Sequence, residues 1–171
     1  MRKIFVDSAK CLGCHSCELA CAVAHSLSKT LYGAIAESPA PAARVSVEVS
    51  RGGNFPLQCR HCDDAQCMKA CVTKALYRDT ASGAVLQKDE LCIGCSMCAI
   101  ACPFGVVEDS AGKGTIRKCD LCLTLAADPV CVAACLTGAL SFEDAVSYSR
   151  EKRKAYLAEL KITSGGECSY E

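Results

Sequence analysis

Apolar and polar positions trade places in short bursts along this chain, and the bursts predict small elements. KIFVDSAKC (residues 3–11) reads as a strand running into a Cys-rich group, and AVLQKDELC (84–92) does the same further on. TKALYRD (73–79) and TGALSFED (137–144) each read as a tight turn leading into a strand, and GVVED (105–109) takes that part after another Cys group. The residues between the last cysteines of each group, with the apolar run beyond Cys17 and Cys98, suit short helices. RVSVEVS (44–50) alternates as a strand with one buried face does, and Pro39 and Pro41 forbid a continuous helix just before it. DAVSYSREKRKAYLAELK (144–161) is a charged helix with Tyr148, Lys152, Tyr156 and Leu160 at four-residue steps. It is followed by ITSGGECSYE, which reads as a flexible tail over 162–171. No window approaches the roughly 20 apolar residues of a membrane-spanning helix.

Composition changes this picture in one respect. Seventeen of the 171 residues are Cys, which inflates a hydrophobic content of 51%, and there is no Trp. The aliphatic core is therefore poor, so a Cys framework is expected to hold the fold. The stretch from Met1 meets Asp7 and Lys10 before any secretory apolar run, so the expected compartment is the cytoplasm, where thiols serve metals or redox chemistry more than disulfides. Nineteen basic residues balance nineteen acidic ones, which leaves no electrostatic footprint for nucleic acid.

Sixteen of the thiols fall into four groups that open CxxC and close CxxxC: Cys11, Cys14, Cys17, Cys21; Cys59, Cys62, Cys67, Cys71; Cys92, Cys95, Cys98, Cys102; and Cys119, Cys122, Cys131, Cys135. The first and third have the run C-x2-C-x2-C-x3-C, and the third adds Pro103, as bacterial ferredoxins do. A tight CxxCxxC loop can wrap three thiolates around one cubane, while the fourth Cys, one turn on, faces elsewhere and ligates a partner cluster. The groups are therefore used in pairs, and sixteen ligands make four [4Fe–4S] sites. Structural zinc is the weaker alternative, because it has no use for a third Cys three residues after a CxxC pair. Strand, cluster loop, helix and strand form the half-unit of a ferredoxin domain, and four half-units make two such domains.

His15, His25 and His61 are the only histidines. Polar surface residues are their plain reading, and tuning of a cluster is the sharper one. Cys168 reads as an exposed thiol in the Gly-Gly tail. No GxGxxG or GxxxxGK[ST] loop and no CxxxCxxC set is present. The expectation is an electron carrier without a catalytic site of its own.

The stretches CLGCHSCELACAVAH, PLQCRHCDDAQCMKAC, KDELCIGCSMCAIACPFG and RKCDLCLTLAADPVCVAACLTGAL resemble the four-cluster ferredoxin-like electron-transfer subunits of the dimethyl sulfoxide reductase iron–sulfur type. The resemblance covers about residues 3–143, though Pro is lacking after Cys71 and Cys135. It implies that group one pairs with group four and group two with group three. One site would be Cys11, Cys14, Cys17 and Cys135, and its neighbour Cys119, Cys122, Cys131 and Cys21. A third would be Cys59, Cys62, Cys67 and Cys102, and the last Cys92, Cys95, Cys98 and Cys71.

The fold class it implies is α+β, two interleaved bacterial-ferredoxin-like modules: an outer one from 1–54 and 108–161, and a central one from 55–107. The implied function is an iron–sulfur subunit relaying single electrons between a catalytic oxidoreductase subunit and a second redox protein in a hetero-oligomer. The catalytic subunit would be of CO dehydrogenase, formate dehydrogenase or hydrogenase, or tungsten or molybdenum aldehyde oxidoreductase type. A free soluble polyferredoxin is the alternative, and a zinc-stabilised adaptor the remote one.

Overall fold

The computed structural model describes residues 2–110, 112–125 and 128–160. The tail expected over 162–171, with Cys168, lies outside the described residues. Among the described residues the fold is a mixture of short helices and four two-stranded antiparallel sheets. Strand β1 (Arg2–Val6) pairs with β8 (Leu140–Asp144) from the far end of the chain, so Ile4 faces Phe142 and Val6 faces Leu140. Strand β4 (Leu76–Arg78) pairs with β5 (Val85–Gln87). The other two ribbons are β2 (Val45–Ser50) with β3 (Gly53–Gln58), and β6 (Glu108–Ser110) with β7 (Thr115–Arg117).

The strands expected before groups one and three, and after groups two, three and four, are all present. RVSVEVS forms β2 and buries Val45 and Val47, but Val49 is exposed because the hairpin runs on past the core. Strands β3 and β7 were not foreseen. In β3, Pro56 breaks the strand pattern and is tolerated because a two-stranded ribbon leaves one side of each strand unpaired. In β7, only three residues, Thr115–Arg117, carry the signal.

Each Cys group feeds a short helix: α1 (Ser16–Ala24), α3 (Gln66–Lys69), α4 (Met97–Ile100) and α5 (Val130–Ala133). Helix α2 (Leu31–Ala36), unannounced by any apolar period, starts on a Thr30 cap that accepts from the Gly33 N–H and stops before Pro39. The charged C-terminal segment is α6 (Ala145–Glu159), capped by Asp144, whose carboxylate accepts from Val146 N and Ser147 N at 2.9 and 3.0 Å. Only the first half of its expected stripe is covered. Tyr148 stacks on Phe5 at 4.0 Å and Lys152 reaches Asp7 at 3.3 Å, whereas Tyr156 and Leu157 stay exposed.

The apolar interior is split in two and built largely of sulfur. One cluster gathers Ile4, Val45, Val47, Ala84, Leu121 and Leu140 with Cys17, Cys21, Cys119 and Cys131. The other gathers Leu76, Val107 and Ile116 with Cys98, and Cys67, Cys71, Cys92 and Cys102 pack against it. Among the described residues no helix is long and apolar enough to cross a membrane.

Candidate metal centres

The four CxxC openings share one backbone trick. The residue before the second Cys is left-handed in every group: Gly13 (φ 67°), His61 (47°), Gly94 (65°) and Leu121 (57°). Two groups use Gly there, and two hold a side chain in a conformation that costs of order 1–3 kcal/mol unless its surroundings impose it. The turn aims backbone N–H groups inward as an anion-holding concavity. His61 N donates to Cys59 Sγ and Leu121 N to Cys119 Sγ, each at 3.5 Å. At Gly94 an added Cβ would also collide with the carbonyl oxygen of Gly114. Gly94→Ala is therefore expected to cost about 1–3 kcal/mol, read as a lowered thermal midpoint of the iron-loaded protein. An unchanged midpoint would show that this turn relaxes freely.

The folded chain brings cysteines of different groups together. Cys59, Cys62 and Cys67 share a cavity with Cys102, lined also by Val85 and Phe104. Cys92, Cys95 and Cys98 share another with Cys71. On the other side of the molecule Cys131 feels the charge of Cys21 and Cys122, Cys119 that of Cys131, and Cys17 that of Cys135. Cys11 and Cys135 pack against the apolar cluster that contains Cys17, while Cys14 is exposed on the same loop. These neighbourhoods touch in series, through Cys17 and Cys131, then Cys119 and Cys59, then the cluster shared by Cys67, Cys102 and Cys98. All sixteen described cysteines are free thiols.

Their electrostatics fit a bound cation. Burial pushes Cys17 up to about 11 and Cys131 up to about 12, and it raises Cys119, Cys67, Cys98 and Cys122 as well. Such thiols become thiolates, the form that binds metal, only when positive charge sits among them. Cys71 and Cys135 behave oppositely. Burial opposes their ionisation, but the N–H groups of Leu76 and Ala75, or of Leu140 and Ala139, overcome it. Thr73 and Thr137 add hydroxyls at 3.8 and 3.7 Å. The repeated CxTxAL of CVTKAL and CLTGAL is the sequence form of this cradle, and Lys74 and Gly138 supply its left-handed bend.

Buried polar atoms also lack partners here. Both amide atoms of Gln58, directly before Cys59, and Nε2 of His61, between Cys59 and Cys62, are unsatisfied. A ligand held by this loop would account for them.

Two histidines depart from the expected surface role. His15 is exposed and pairs with Glu18 at 2.8 Å, but His61 is 2% exposed and His25 is tucked against the fourth group. Both are fixed by partners distant in sequence: Val85 N donates to His61 Nδ1 at 3.1 Å, and His25 Nε2 lies 3.3 Å from Asp120. Burial pulls His25 down, yet Asp120 and Cys21 prevail and push it up to about 9. Asp120, whose burial favours its neutral form, is nevertheless held well below the carboxylate range by His25 and by Arg44 at 2.7 Å.

Arg44, which donates its own N–H to Cys21 Sγ at 3.2 Å, comes from the stretch between groups one and two and carries no signal in the sequence. Asp120 did carry one, as the single acidic residue inside a CxxC opening. His25, Asp120 and Cys122 stand close enough to share an ion. Arg44 and His25 already satisfy the carboxylate, so this trio acts as a buttress for the fourth group.

Known proteins resemble this chain over most of its length. The family model for a 4Fe-4S dicluster domain matches residues 52–145. The chain is 41% identical to an iron-sulfur protein of Rhodospirillum rubrum, covering 92% of this chain and 90% of that one. It is 36% identical to the electron transport protein HydN of Escherichia coli K12, covering 90% and 95%. It is 35% identical to the probable anaerobic dimethyl sulfoxide reductase chain YnfG of the same strain, covering 81% and 71%. The family match over more than half of the chain, together with the 41% identity to an iron-sulfur protein along most of its length, makes this protein a member of the 4Fe-4S dicluster domain family of iron–sulfur proteins.

Proposed function

We propose that the chain is an electron-transfer subunit carrying four [4Fe–4S] clusters in a row. Cys11, Cys14, Cys17 and Cys135 hold the first; Cys21, Cys119, Cys122 and Cys131 the second; Cys59, Cys62, Cys67 and Cys102 the third; and Cys71, Cys92, Cys95 and Cys98 the fourth. Each cluster supplies a site that takes up and gives back one electron. The observation that carries this reading is the gathering of Cys102 with Cys59, Cys62 and Cys67 in one cavity and of Cys71 with Cys92, Cys95 and Cys98 in another, with Cys135 near Cys17 and Cys21 near Cys122 and Cys131. The pairing of β1 with β8 and of β4 with β5 supports two interleaved modules.

Exposure supports a direction through the molecule. Cys14 and Cys95 are exposed, and exposed apolar residues flank both ends of the row: Leu12 and Leu136 at one, Val72 and Ile93 at the other. The equivalent thiols of the two middle sites are more enclosed, Cys62 half-buried and Cys122 buried, and polar Arg60 and Asp120 stand where Leu12 and Ile93 do. Two open ends suit two protein partners, a catalytic oxidoreductase subunit and a second redox protein. The names of the relatives HydN and YnfG, an electron transport protein and a reductase chain, favour this over chemistry on a substrate. The cytoplasm is the compartment this reading assigns, because a reducing thiol pool keeps sixteen cysteines available to metal.

Anaerobically purified protein is expected to be brown, with about sixteen irons and as many sulfides per chain, four to each cube. It should co-purify from anaerobic extract with a larger oxidoreductase subunit. A colourless, zinc-loaded protein would overturn the cluster reading. A brown protein recovered without a partner would favour the free carrier.

A further inference from the structure

Three cations, Arg44, Arg117 and Lys118, line the cleft between β6–β7 and the segment leading into β2. Arg44 has Asp120 and Arg117 has Glu108. Lys118 is only 4% exposed, yet among the described residues no carboxylate pairs with it. Its Nζ donates to the carbonyl of Cys119, at 2.8 Å, and to that of Val85. Two carbonyls solvate an ammonium but do not neutralise it, and a buried charge without a counter-charge is expensive. The two acceptors show where the counter-charge belongs. Cys119 is part of the second cluster site, and Val85 lines the cavity of the third with Cys59, Cys62, Cys67 and Cys102. The charge of Lys118 reaches thiols on both sides, Cys119 and Cys67, partly offsetting what burial does to each.

Four thiolates around a [4Fe–4S] core leave the centre anionic, and more so once it has taken an electron. We propose that the Lys118 ammonium is the shared counter-charge of the two middle cluster sites and holds their reduction potentials above the values they would otherwise take. This rests on the four-cluster reading given above. Lys118 touches neither outer site; it is a positioning charge seated where the row passes from Cys119 to Cys59. Its effect is to make the interior of the relay a resting place for electrons, since a positive charge stabilises the reduced, more negative state of whatever lies beside it.

Redox titration of the iron-loaded protein, followed by electron paramagnetic resonance, tests this with three variants. Lys118→Met removes charge and donors, Lys118→Gln keeps a donor without charge, and Lys118→Arg keeps the charge. In the Met and Gln variants, two of the four centres are expected to show a reduced-to-oxidised ratio about tenfold lower at fixed solution potential, a midpoint shift of about 59 mV for a one-electron couple. The other two centres, and all four in Lys118→Arg or in the exposed control Lys154→Met, keep their values. Should the Met and Gln variants fail to assemble the middle centres while the Arg variant assembles them, the counter-charge is needed even for loading, and the proposal stands. Unmoved midpoints in a fully loaded Met variant would overturn it, as would a shift in Met but not in Gln, or failure of the Arg variant to load. Sub-stoichiometric iron in the unsubstituted protein would instead sink the reading of the sixteen cysteines.

Discussion

Removing iron from the intact protein with a chelator under anaerobic, reducing conditions is expected to abolish most of its secondary structure, read as loss of far-ultraviolet circular dichroism. The expectation follows from how little of the fold can stand without its cofactors. Every sheet among the described residues has two strands, a unit that is marginal in water at best. Helices α3, α4 and α5 are four residues long, far below the length at which a helix sustains itself. Of the ten buried residues in the larger apolar cluster four are Cys, and the smaller cluster has only Leu76, Val107 and Ile116 beside its sulfur.

Sixteen metal–sulfur bonds would replace the missing aliphatic packing, and they form only when the loops close, so binding and folding become a single event. Reprotonation of the buried thiols would not restore what is lost. It removes the cross-links between groups that lie far apart in the chain, such as Cys21 with Cys131 or Cys17 with Cys135. The decisive outcome on the other side is a cooperative thermal transition, with native dichroism below it, in protein shown by assay to be free of iron. That result would mean that the ribbons and α1 are held by ordinary packing, and the structural role assigned to the clusters would fail.

The elements closest to the cysteines were the ones legible in the sequence. KIFV, AVLQ, KALYR and ALSFE became strands because each follows or precedes a Cys group at the same offset, so the internal repeat reinforced weak local signals. The partner of β1 is not local: it finds β8 about 140 residues away, and no local signal points to that pairing. Between the groups the repeat is silent, and local signals there are weak. Helix α2, with Leu31, Tyr32 and Ile35 exposed, has no buried stripe to betray it, and β3 was hidden by its proline. The sixteen thiols were legible from spacing alone. The residues that surround them were not, because their roles arise from long-range burial: Arg44 from the stretch between groups one and two, Lys118 one residue before a Cys, and Gln58 and His61 polar in sequence but fully enclosed. Charge and polarity predict exposure in general, and here that rule failed around the gathered cysteines.

Exchange of the fourth Cys between groups makes the largest quantitative claim about the site, and it separates two ligation schemes that give the same total iron. Under the exchanged scheme Cys71 and Cys95 serve one centre although they belong to groups two and three, and Cys14 and Cys135 serve one centre although they belong to groups one and four. Both pairs lie at the open ends of the row, where loss of a centre leaves the middle of the molecule intact. The double variant Cys71→Ala with Cys95→Ala is therefore expected to lose the iron of a single centre, about four of sixteen atoms, and so is Cys14→Ala with Cys135→Ala. If each group filled its own cube, either double variant would strike two centres at once and endanger about eight irons. Interaction within a pair also shows as non-additivity, since a second substitution in an already vacated centre costs little more. Iron assays on these two variants against their four parent single variants thus measure the pairing directly. Losses that simply add within each pair would contradict the shared cavity of Cys71 with Cys92, Cys95 and Cys98 as a ligand set, and with it the serial path from one end of the row to the other.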